Sequence, residues 1–229
     1  MKLLLFDVDL TLISTGGAGI RALNRACRQL LAVENAMDGI TPSGKTDPSI
    51  VREIFAACRI DNNGGDGYAP IIDLYLTFLR EEVENTTQYR ILPGVLSILE
   101  EASKHENVLL GLATGNVEAG ARIKLKRGDL NRFFKFGGFG SDSENRPELV
   151  RHAAQLAERQ SGVKIAAKDV FVIGDTPLDI EAGRHAGFNT IGVATGKFSM
   201  EELNACGAML VVPDLEQGRD QFFRTTFME

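Results

Sequence analysis

The amino-acid sequence predicts an α/β fold, a doubly wound parallel sheet with a group of helices inserted after the first strand. Short, continuous apolar runs such as 108–113 and 170–173 are typical of strands buried on both faces of a sheet. Helical patterns alternate with such runs in the second half of the chain, and this alternation is typical of a parallel sheet. Between residues 16 and 88 the sequence shows helical periodicity and no convincing strand, which indicates the insert.

Apolar runs and helical periodicity place the individual elements. The predicted strands are residues 3–6, 108–113, 134–139, 170–173, 190–193 and 209–212. Glycines dilute the third of these runs, which is therefore the weakest strand signal. The predicted helices are residues 20–31, 48–58, 71–83, about 95–106, 117–127, 146–160 and 178–186.

The position of the insert predicts two domains, a core of residues 1–15 and 89–229 and a helical insert of residues 16–88. A parallel sheet is expected to reach its next strand sooner than about 100 residues after the first, so the helices fit a separate unit better than the core. The breakers Asn62–Gly67 separate two of the inserted helices. Pro93-Gly94 marks the return to alternating strands and helices.

Composition and charge exclude several classes of protein. The chain has 229 residues, of which 44% are hydrophobic and 24% charged, so it can bury a sizeable core. A formal net charge of -6 argues against a general nucleic-acid binder. The longest apolar stretches fall well short of the roughly 20 residues that span a bilayer. The 3 cysteines lack metal-ligand spacing, and we expect a protein of the reducing cytoplasm with neither nucleic-acid nor membrane partners.

Acidic residues follow two of the predicted strands. Asp7 and Asp9 come after the first strand, and Asp175 and Asp179 come after the fourth. Because ligands of doubly wound folds bind at the carboxyl ends of the strands, these side chains are expected to converge there. Helix capping would explain one such aspartate but not four. A cluster of carboxylates repels itself unless it holds a cation or protons, and carboxylate oxygens suit Mg²⁺. The sequence therefore predicts a Mg²⁺ site.

The order of these motifs resembles the haloacid dehalogenase superfamily of phosphohydrolases. Asp7-x-Asp9-x-Thr11 comes first, then Thr114, then a basic residue, and then Gly174-Asp175-x-x-x-Asp179. The resemblance covers nearly the whole chain and is greatest to the phosphoglycolate phosphatase-like branch, in which a helical cap is inserted after the first strand. It implies a Mg²⁺-dependent phosphatase that acts on a small phosphorylated metabolite.

The resemblance also implies a role for each motif residue. Asp7 would attack phosphorus and form an aspartyl-phosphate, and Asp9 would serve as general acid and base. Asp7, the carbonyl of Asp9 and Asp175 would hold Mg²⁺, with Asp179 in or near its coordination shell. The remaining residues assigned to catalysis or to substrate binding are Thr11, Lys45, Thr114, Gly115, Asn116 and Arg146.

Two positions depart from the pattern of the family. Leu10 stands where related phosphatases usually carry glycine, and it fits if its backbone avoids the region that favours glycine. Arg146-Pro147 stands where the family usually has lysine before proline, and arginine can hold phosphate through two hydrogen bonds. Lys124 is the alternative basic residue, although its context favours a solvated position on a helix.

A phosphate-loop pattern, G-x-x-x-x-G-K-[ST], occurs at Gly39–Thr46. That motif requires a buried strand immediately before it, and the preceding residues contain Glu34, Asn35 and Asp38, so we do not predict an NTPase. The resemblance instead places Lys45 in the cap, where it either faces an anionic substrate or lies solvated in a turn before a helix.

Other activities remain open on the same scaffold. A phosphosugar mutase would use the same nucleophile, and sequence separates it poorly from a phosphatase. A phosphonate hydrolase would require a cap lysine such as Lys45 for a Schiff base. A non-catalytic regulator that binds phosphate esters is the alternative from a different class, although it has little need of the complete set of aspartates. The substrate and the oligomeric state cannot be predicted from the sequence.

Overall fold

The computed structural model describes residues 1–60 and 68–227. Its strands are β1 (Lys2–Phe6), β2 (Ile13–Ser14), β3 (Arg90–Ile91), β4 (Val108–Thr114), β5 (Gly137–Phe139), β6 (Val170–Gly174), β7 (Asn189–Val193) and β8 (Leu210–Val212). Six of them form a sheet in the order β5-β4-β1-β6-β7-β8, and every pair in it is parallel. The predicted α/β class with a doubly wound parallel sheet is confirmed.

The helices that the structure describes lie between these strands and after the last one. They are α1 (Ala18–Leu31), α2 (Asp47–Cys58), α3 (Ala69–Asn85), α4 (Val95–Ala102), α5 (Glu118–Lys126), α6 (Arg146–Ser161), α7 (Pro177–Ala186), α8 (Met200–Ala205) and α9 (Arg219–Phe227). The prediction missed α8 and α9, and it extended α4 to residue 106, four residues beyond the observed end. The breakers predicted at 62–67 lie outside the described residues.

The first strand shows why a continuous apolar run indicates a central strand. Leu4 and Phe6 pack into a hydrophobic cluster on one face of the sheet, and Leu3 and Leu5 pack into another cluster on the opposite face. All four side chains are fully buried. Because successive side chains of a strand point to opposite faces, a strand covered on both sides must be apolar at every position.

The inserted helices surround a hydrophobic cluster of their own. Buried side chains of α1, α2 and α3, including Leu23, Ile54 and Leu79, pack together in a cluster distinct from the two beside the sheet. The short antiparallel pair β2–β3 joins the two points where the chain leaves the core and returns to it. Two-residue strands have no readable period, and the sequence did not predict them. We call residues 16–88 the helical segment, and its independence as a domain remains a prediction.

The strand order places β1 at the point where the direction in which strands are added to the sheet reverses. From β1 the chain continues to β4 and β5 on one side, and then to β6, β7 and β8 on the other. The carboxyl ends of β1, β4 and β6 therefore lie side by side, and a crevice at such a point is the usual ligand site of an open α/β sheet. Among the described residues, no helix is long and apolar enough to cross a membrane.

Candidate active site

Three carboxylates meet at the carboxyl ends of β1 and β6. Asp7 directly follows β1, Asp175 directly follows β6, and Asp179 lies in the first turn of α7. Each offers a carboxylate oxygen within 4.8 Å of the oxygens of the other two, and all three residues are buried. The structure thus brings together three of the four aspartates predicted to hold a metal.

Burial and mutual repulsion make the carboxyl groups of Asp7 and Asp175 hard to ionise without a cation. Burial raises the pKa of Asp7 above its ordinary value, and the charge of Asp179 adds to the rise, which Arg146 partly opposes. Burial likewise raises the pKa of Asp175, with further contributions from the charges of Asp179 and Asp7. A divalent cation would supply the positive charge that this cluster lacks, so the donor set fits Mg²⁺.

Neighbouring groups fix the orientation of Asp175 and Asp179. The hydroxyl of Thr11 donates to Asp175 Oδ1 at 3.2 Å. The backbone N–H and the hydroxyl of Thr176 donate to Asp179 Oδ2 at 3.0 and 2.6 Å, which completes a capping box at the start of α7. Asp179 therefore caps a helix and also belongs to the carboxylate cluster. A cavity lies over these carboxylates. Thr11, which was predicted to bind substrate, contacts Asp175 and is not among the described residues that line this cavity.

Arg146 reaches the carboxylate cluster from the first position of α6. One guanidinium nitrogen pairs with Asp179 Oδ1, and the other donates to the carbonyl of Gly44 at 2.8 Å. Its side chain is only 10% exposed. The Nε–H is buried and has no hydrogen-bond partner among the described residues. The predicted basic residue therefore lies at the cluster, and its Nε–H is unused by the described residues.

Asp9 lies apart from that cluster because two partners hold its side chain. The ammonium of Lys124 donates to Asp9 Oδ2 at 2.6 Å, and the amide of Asn116 donates to the same oxygen at 2.9 Å. Lys124 also donates to Asn116 Oδ1 at 2.5 Å, which closes the network. The expectation that Lys124 is solvated is wrong, because its side chain is only 6% exposed.

Residues of the helical segment lie beside the ammonium of Lys124. A methyl group on Gly19 would lie 3.7 Å from both the Lys124 ammonium and the Tyr75 hydroxyl, so all three residues adjoin. Burial alone would lower the pKa of Lys124, but the negative charge of Asp9, with smaller contributions from Tyr75 and Asp47, raises it above the ordinary value. Lys124 is therefore a buried cation between the core and the helical segment.

The turn after β4 holds the residues predicted to bind the phosphoryl group. The backbone N–H and side-chain amide of Asn116 donate to the Thr114 hydroxyl at 3.3 and 2.9 Å. Gly115 has no room for a side chain, since a Cβ there would lie 2.1 Å from the carbonyl oxygen of Lys45. Thr114, Gly115 and Asn116 all line the cavity over the carboxylates.

Lys45 fits both of the alternatives that the sequence left open. It lines the cavity, and it lies in the turn before α2, whose first backbone groups are capped by the Thr46 hydroxyl. Its ammonium donates to Glu53 of α2 at 2.7 Å. The phosphate-loop-like stretch follows α1 rather than a strand, as the structure describes it, which agrees with the exclusion of an NTPase.

The backbone of Leu10 does not meet the condition under which leucine would fit without strain. Its φ angle is 59°, in the left-handed region that favours glycine. Two hydrogen bonds hold the turn, since Leu10 N–H donates to the Ile13 carbonyl at 2.7 Å and the Thr195 hydroxyl donates to the Leu10 carbonyl at 2.5 Å.

Sequence reasoning missed Asp47, Tyr75 and Lys197, which also line the cavity. The Asp47 carboxylate accepts from Val117 N–H at 2.9 Å, and its own N–H donates to the Gly115 carbonyl at 2.8 Å. Burial raises the pKa of Asp47 to about 6, although the charge of Lys124 and the hydrogen bond from Val117 oppose the rise. Its position at the first turn of a helix is ordinary for an aspartate, so the sequence held no signal of this role.

A cavity of about 270 Å³ opens over these groups. Asp7, Asp9, Thr114, Arg146 and Asp175 line it from the core. The helical segment supplies most of the remaining wall, with apolar side chains predominating.

The fold and the matched motifs define the class of this protein. It belongs to the haloacid dehalogenase-like hydrolase family, whose sequence model matches residues 4–193.

Individual relatives agree with this assignment. The chain is 26% identical to a curated protein of Dickeya dadantii (strain 3937) described as a probable phosphatase, IndB, over 92% of this chain and 88% of that protein. A hydrolase from Pseudomonas syringae has the same fold, with a TM-score of 0.74, 21% identity, and coverage of 97% of this chain and 98% of the other. The CbbY protein from Rhodobacter sphaeroides, solved in complex with phosphate, is also similar, with a TM-score of 0.69, 19% identity, and coverage of 95% and 96%.

Proposed function

We propose that this protein is a magnesium-dependent phosphatase that hydrolyses small phosphomonoesters through an aspartyl-phosphate on Asp7. The observation that carries the proposal is that two neighbouring aspartates lie in different environments. Asp7 lies in a buried cluster with Asp175 and Asp179, whereas Asp9 is held outside the cluster by Lys124. Such separation suits one carboxylate for nucleophilic attack and the other for proton transfer.

The first half of the reaction transfers the phosphoryl group to the protein. A carboxylate oxygen of Asp7 forms a bond to phosphorus while the bond from phosphorus to the substrate oxygen breaks. Asp9 gives its proton to that departing oxygen, and the alcohol leaves neutral. In the second half, Asp9 takes a proton from a water molecule that attacks phosphorus, which releases inorganic phosphate and restores Asp7.

The other residues of the site position and neutralise the phosphoryl group. Asp7, the backbone carbonyl of Asp9 and Asp175 would hold Mg²⁺, with Asp179 close by, and the ion would neutralise charge on the transferring group. The guanidinium of Arg146 and the polar groups of Thr114 and the turn that follows it would donate to phosphoryl oxygens. Thr11 would orient Asp175 through its hydrogen bond.

The proposal is tested by phosphate release from p-nitrophenyl phosphate in the presence and absence of Mg²⁺. We expect the Asp7→Asn variant to lose activity by about a thousandfold or more, since an amide cannot serve as the nucleophile. Asp220→Asn is a matched control, because that aspartate lies on α9 with 81% of its side chain exposed. Full turnover by Asp7→Asn would contradict the mechanism.

The alternatives give different results in the same assay. A mutase would transfer the phosphoryl group between positions of a sugar phosphate and release little inorganic phosphate. A regulator would bind phosphate esters and release none across a broad panel of substrates. Rapid release from several monoesters would exclude both.

A further inference from the structure

The walls of the cavity differ sharply in chemistry. The core contributes the carboxylates of Asp7, Asp9 and Asp175. The helical segment contributes a group of apolar side chains that belong to, or pack against, its own hydrophobic cluster. They are Leu23, Met37, Ile50, Val51 and Ile72.

This difference orients a substrate, provided that the proposed phosphatase function is correct. The phosphoryl group has to lie against the core wall, because the nucleophile and the ligands for Mg²⁺ are there. The alcohol part of the monoester then faces the apolar wall. Its chemistry is therefore set by the side chains of the helical segment rather than by the catalytic residues.

The cations that line the cavity on the side of the helical segment already have carboxylate partners. Among the described residues of that segment, Lys45 is the one cation that lines the cavity, and its ammonium is paired with Glu53 at 2.7 Å. Lys124 is paired with Asp9. Lys197 follows Gly196, where a Cβ would lie 1.8 Å from Asp175 Oδ2, so it belongs to the core wall. On the side of the helical segment, a second anionic group on the substrate would thus meet apolar side chains and a lysine that is already paired.

The size of the cavity suits a compact alcohol group. A volume of about 270 Å³ compares with the roughly 150 Å³ of an apolar cavity that accepts one benzene molecule. The difference leaves room for a phosphoryl group beside one ring. A sugar of similar size would place hydroxyl groups against the apolar side chains of this wall, and each hydroxyl that does not reach Asp47 or Tyr75 costs binding free energy.

We propose that the alcohol part of the substrate is an uncharged, mainly apolar group of about the size of one ring. Leu23, Met37 and Ile50 determine this specificity, since they are nearly buried and line the cavity from α1, the following turn and α2. The proposal narrows the proposed function to alkyl and aryl-alkyl phosphomonoesters and disfavours phosphoglycolate.

The first test compares kcat/KM for benzyl phosphate, phosphoglycolate, glucose 6-phosphate and methyl phosphate. All four release an alcohol, so their intrinsic reactivities are closer than in a comparison with aryl esters. We expect benzyl phosphate to exceed each of the others by about tenfold or more, because matched methylene groups in an apolar site are each worth roughly 10- to 200-fold.

The second test changes the apolar wall. In Leu23→Gln we expect the ratio of kcat/KM for benzyl phosphate to that for methyl phosphate to fall by about tenfold, since a polar group replaces carbon beside the ring. Leu30→Gln is the matched control on the same helix, because Leu30 is 46% exposed, and its ratio should match that of the unaltered protein. The ratio corrects for any loss of folded protein.

The outcomes separate this proposal from the proposed function. A higher kcat/KM for phosphoglycolate or glucose 6-phosphate than for benzyl phosphate would overturn the substrate class and leave the phosphatase standing. An unchanged ratio in Leu23→Gln would overturn the role of the apolar wall. Failure to release phosphate from any of the four esters would overturn the substrate class, and the proposed function falls with it only if p-nitrophenyl phosphate also releases none.

Discussion

The acid–base role proposed for Asp9 depends on how its side chain is held. Lys124 and Asn116 both donate to the same oxygen, at 2.6 and 2.9 Å, and no described residue donates to the other oxygen. The Asp9 side chain is 40% exposed, so packing alone would not fix its orientation. We therefore propose that Lys124 is a positioning residue, which acts on the reaction through Asp9.

We expect Lys124→Met to lower kcat by about 10- to 100-fold while KM changes by less than about threefold. Misplacing a catalytic group by an ångström has effects of this size, and methionine fills the volume without the ammonium. Steady-state kinetics on one substrate measure both constants. Lys126→Met serves as the control, because Lys126 lies exposed on the same helix. Equal kcat values in the two variants would show that Lys124 does not position Asp9.

Leu10 shows that the sequence does not always predict the backbone conformation of a single residue. A leucine in the left-handed region is uncommon, and its side chain gives no indication of that conformation. The turn is held by one local hydrogen bond, to the Ile13 carbonyl, and by one from Thr195, 185 positions along the chain. The sequence could supply the residue type but not the partner that imposes the backbone conformation.

At the scale of elements, the start of α2 joins the helical segment to the turn after β4. Asp47 makes this connection in both directions, by accepting from Val117 N–H and donating its own N–H to Gly115. Burial raises the pKa of its carboxyl group to about 6 from an ordinary value of 3.8. Ionisation is therefore less favourable in the folded protein than in the unfolded chain.

This shift predicts a pH-dependent difference in stability between the unaltered protein and Asp47→Asn. The folded-state pKa is raised, so ionising Asp47 costs stability progressively between about pH 4 and pH 6, and the cost is constant above that window. Asparagine keeps the acceptor for Val117 without the charge. We expect the free energy of unfolding of the variant, relative to the unaltered protein, to rise by at most about 3 kcal/mol from pH 4 to pH 7.

Urea unfolding of both proteins at several pH values measures this difference. Asp73→Asn is the matched control, because Asp73 is an exposed aspartate on α3. A difference between Asp47→Asn and the unaltered protein that stays constant from pH 4 to pH 7 would contradict the predicted shift.

The elements also differ in how well the sequence predicted them. The apolar run of β1 was readable because both of its faces are buried, and β4, β6 and β7 share that feature. By contrast, β2 and β3 have two residues each and no period. The carboxylate cluster was predictable because the strand ends that carry it meet at one edge of the sheet. The buried setting of Lys124 includes Tyr75 of α3, and no local sequence pattern relates these two residues.

For the molecule as a whole, part of the net negative charge is concentrated at the candidate active site. The formal net charge is -6, and three carboxylates lie buried within one cluster. Arg146 pairs with Asp179 and offsets part of this charge. The rest of the repulsion opposes folding unless protons or a cation occupy the cluster, so the proposed metal site links ion binding to the stability of the entire fold.

We expect Mg²⁺ to raise the melting temperature of the unaltered protein, and to do so more at pH 8 than at pH 6. An ion at 100 times its Kd stabilises the folded state by about 2.7 kcal/mol, which corresponds to roughly 5–10 °C in a chain of this size. The increase with pH follows because the raised pKa values of Asp7 and Asp175 make protons compete with the ion. Thermal melts in MgCl₂, against NaCl of equal ionic strength, measure the shift without any assay of activity. Asp175→Asn should remove most of the shift and Asp220→Asn should retain it, whereas an undiminished shift in Asp175→Asn would place the ion elsewhere.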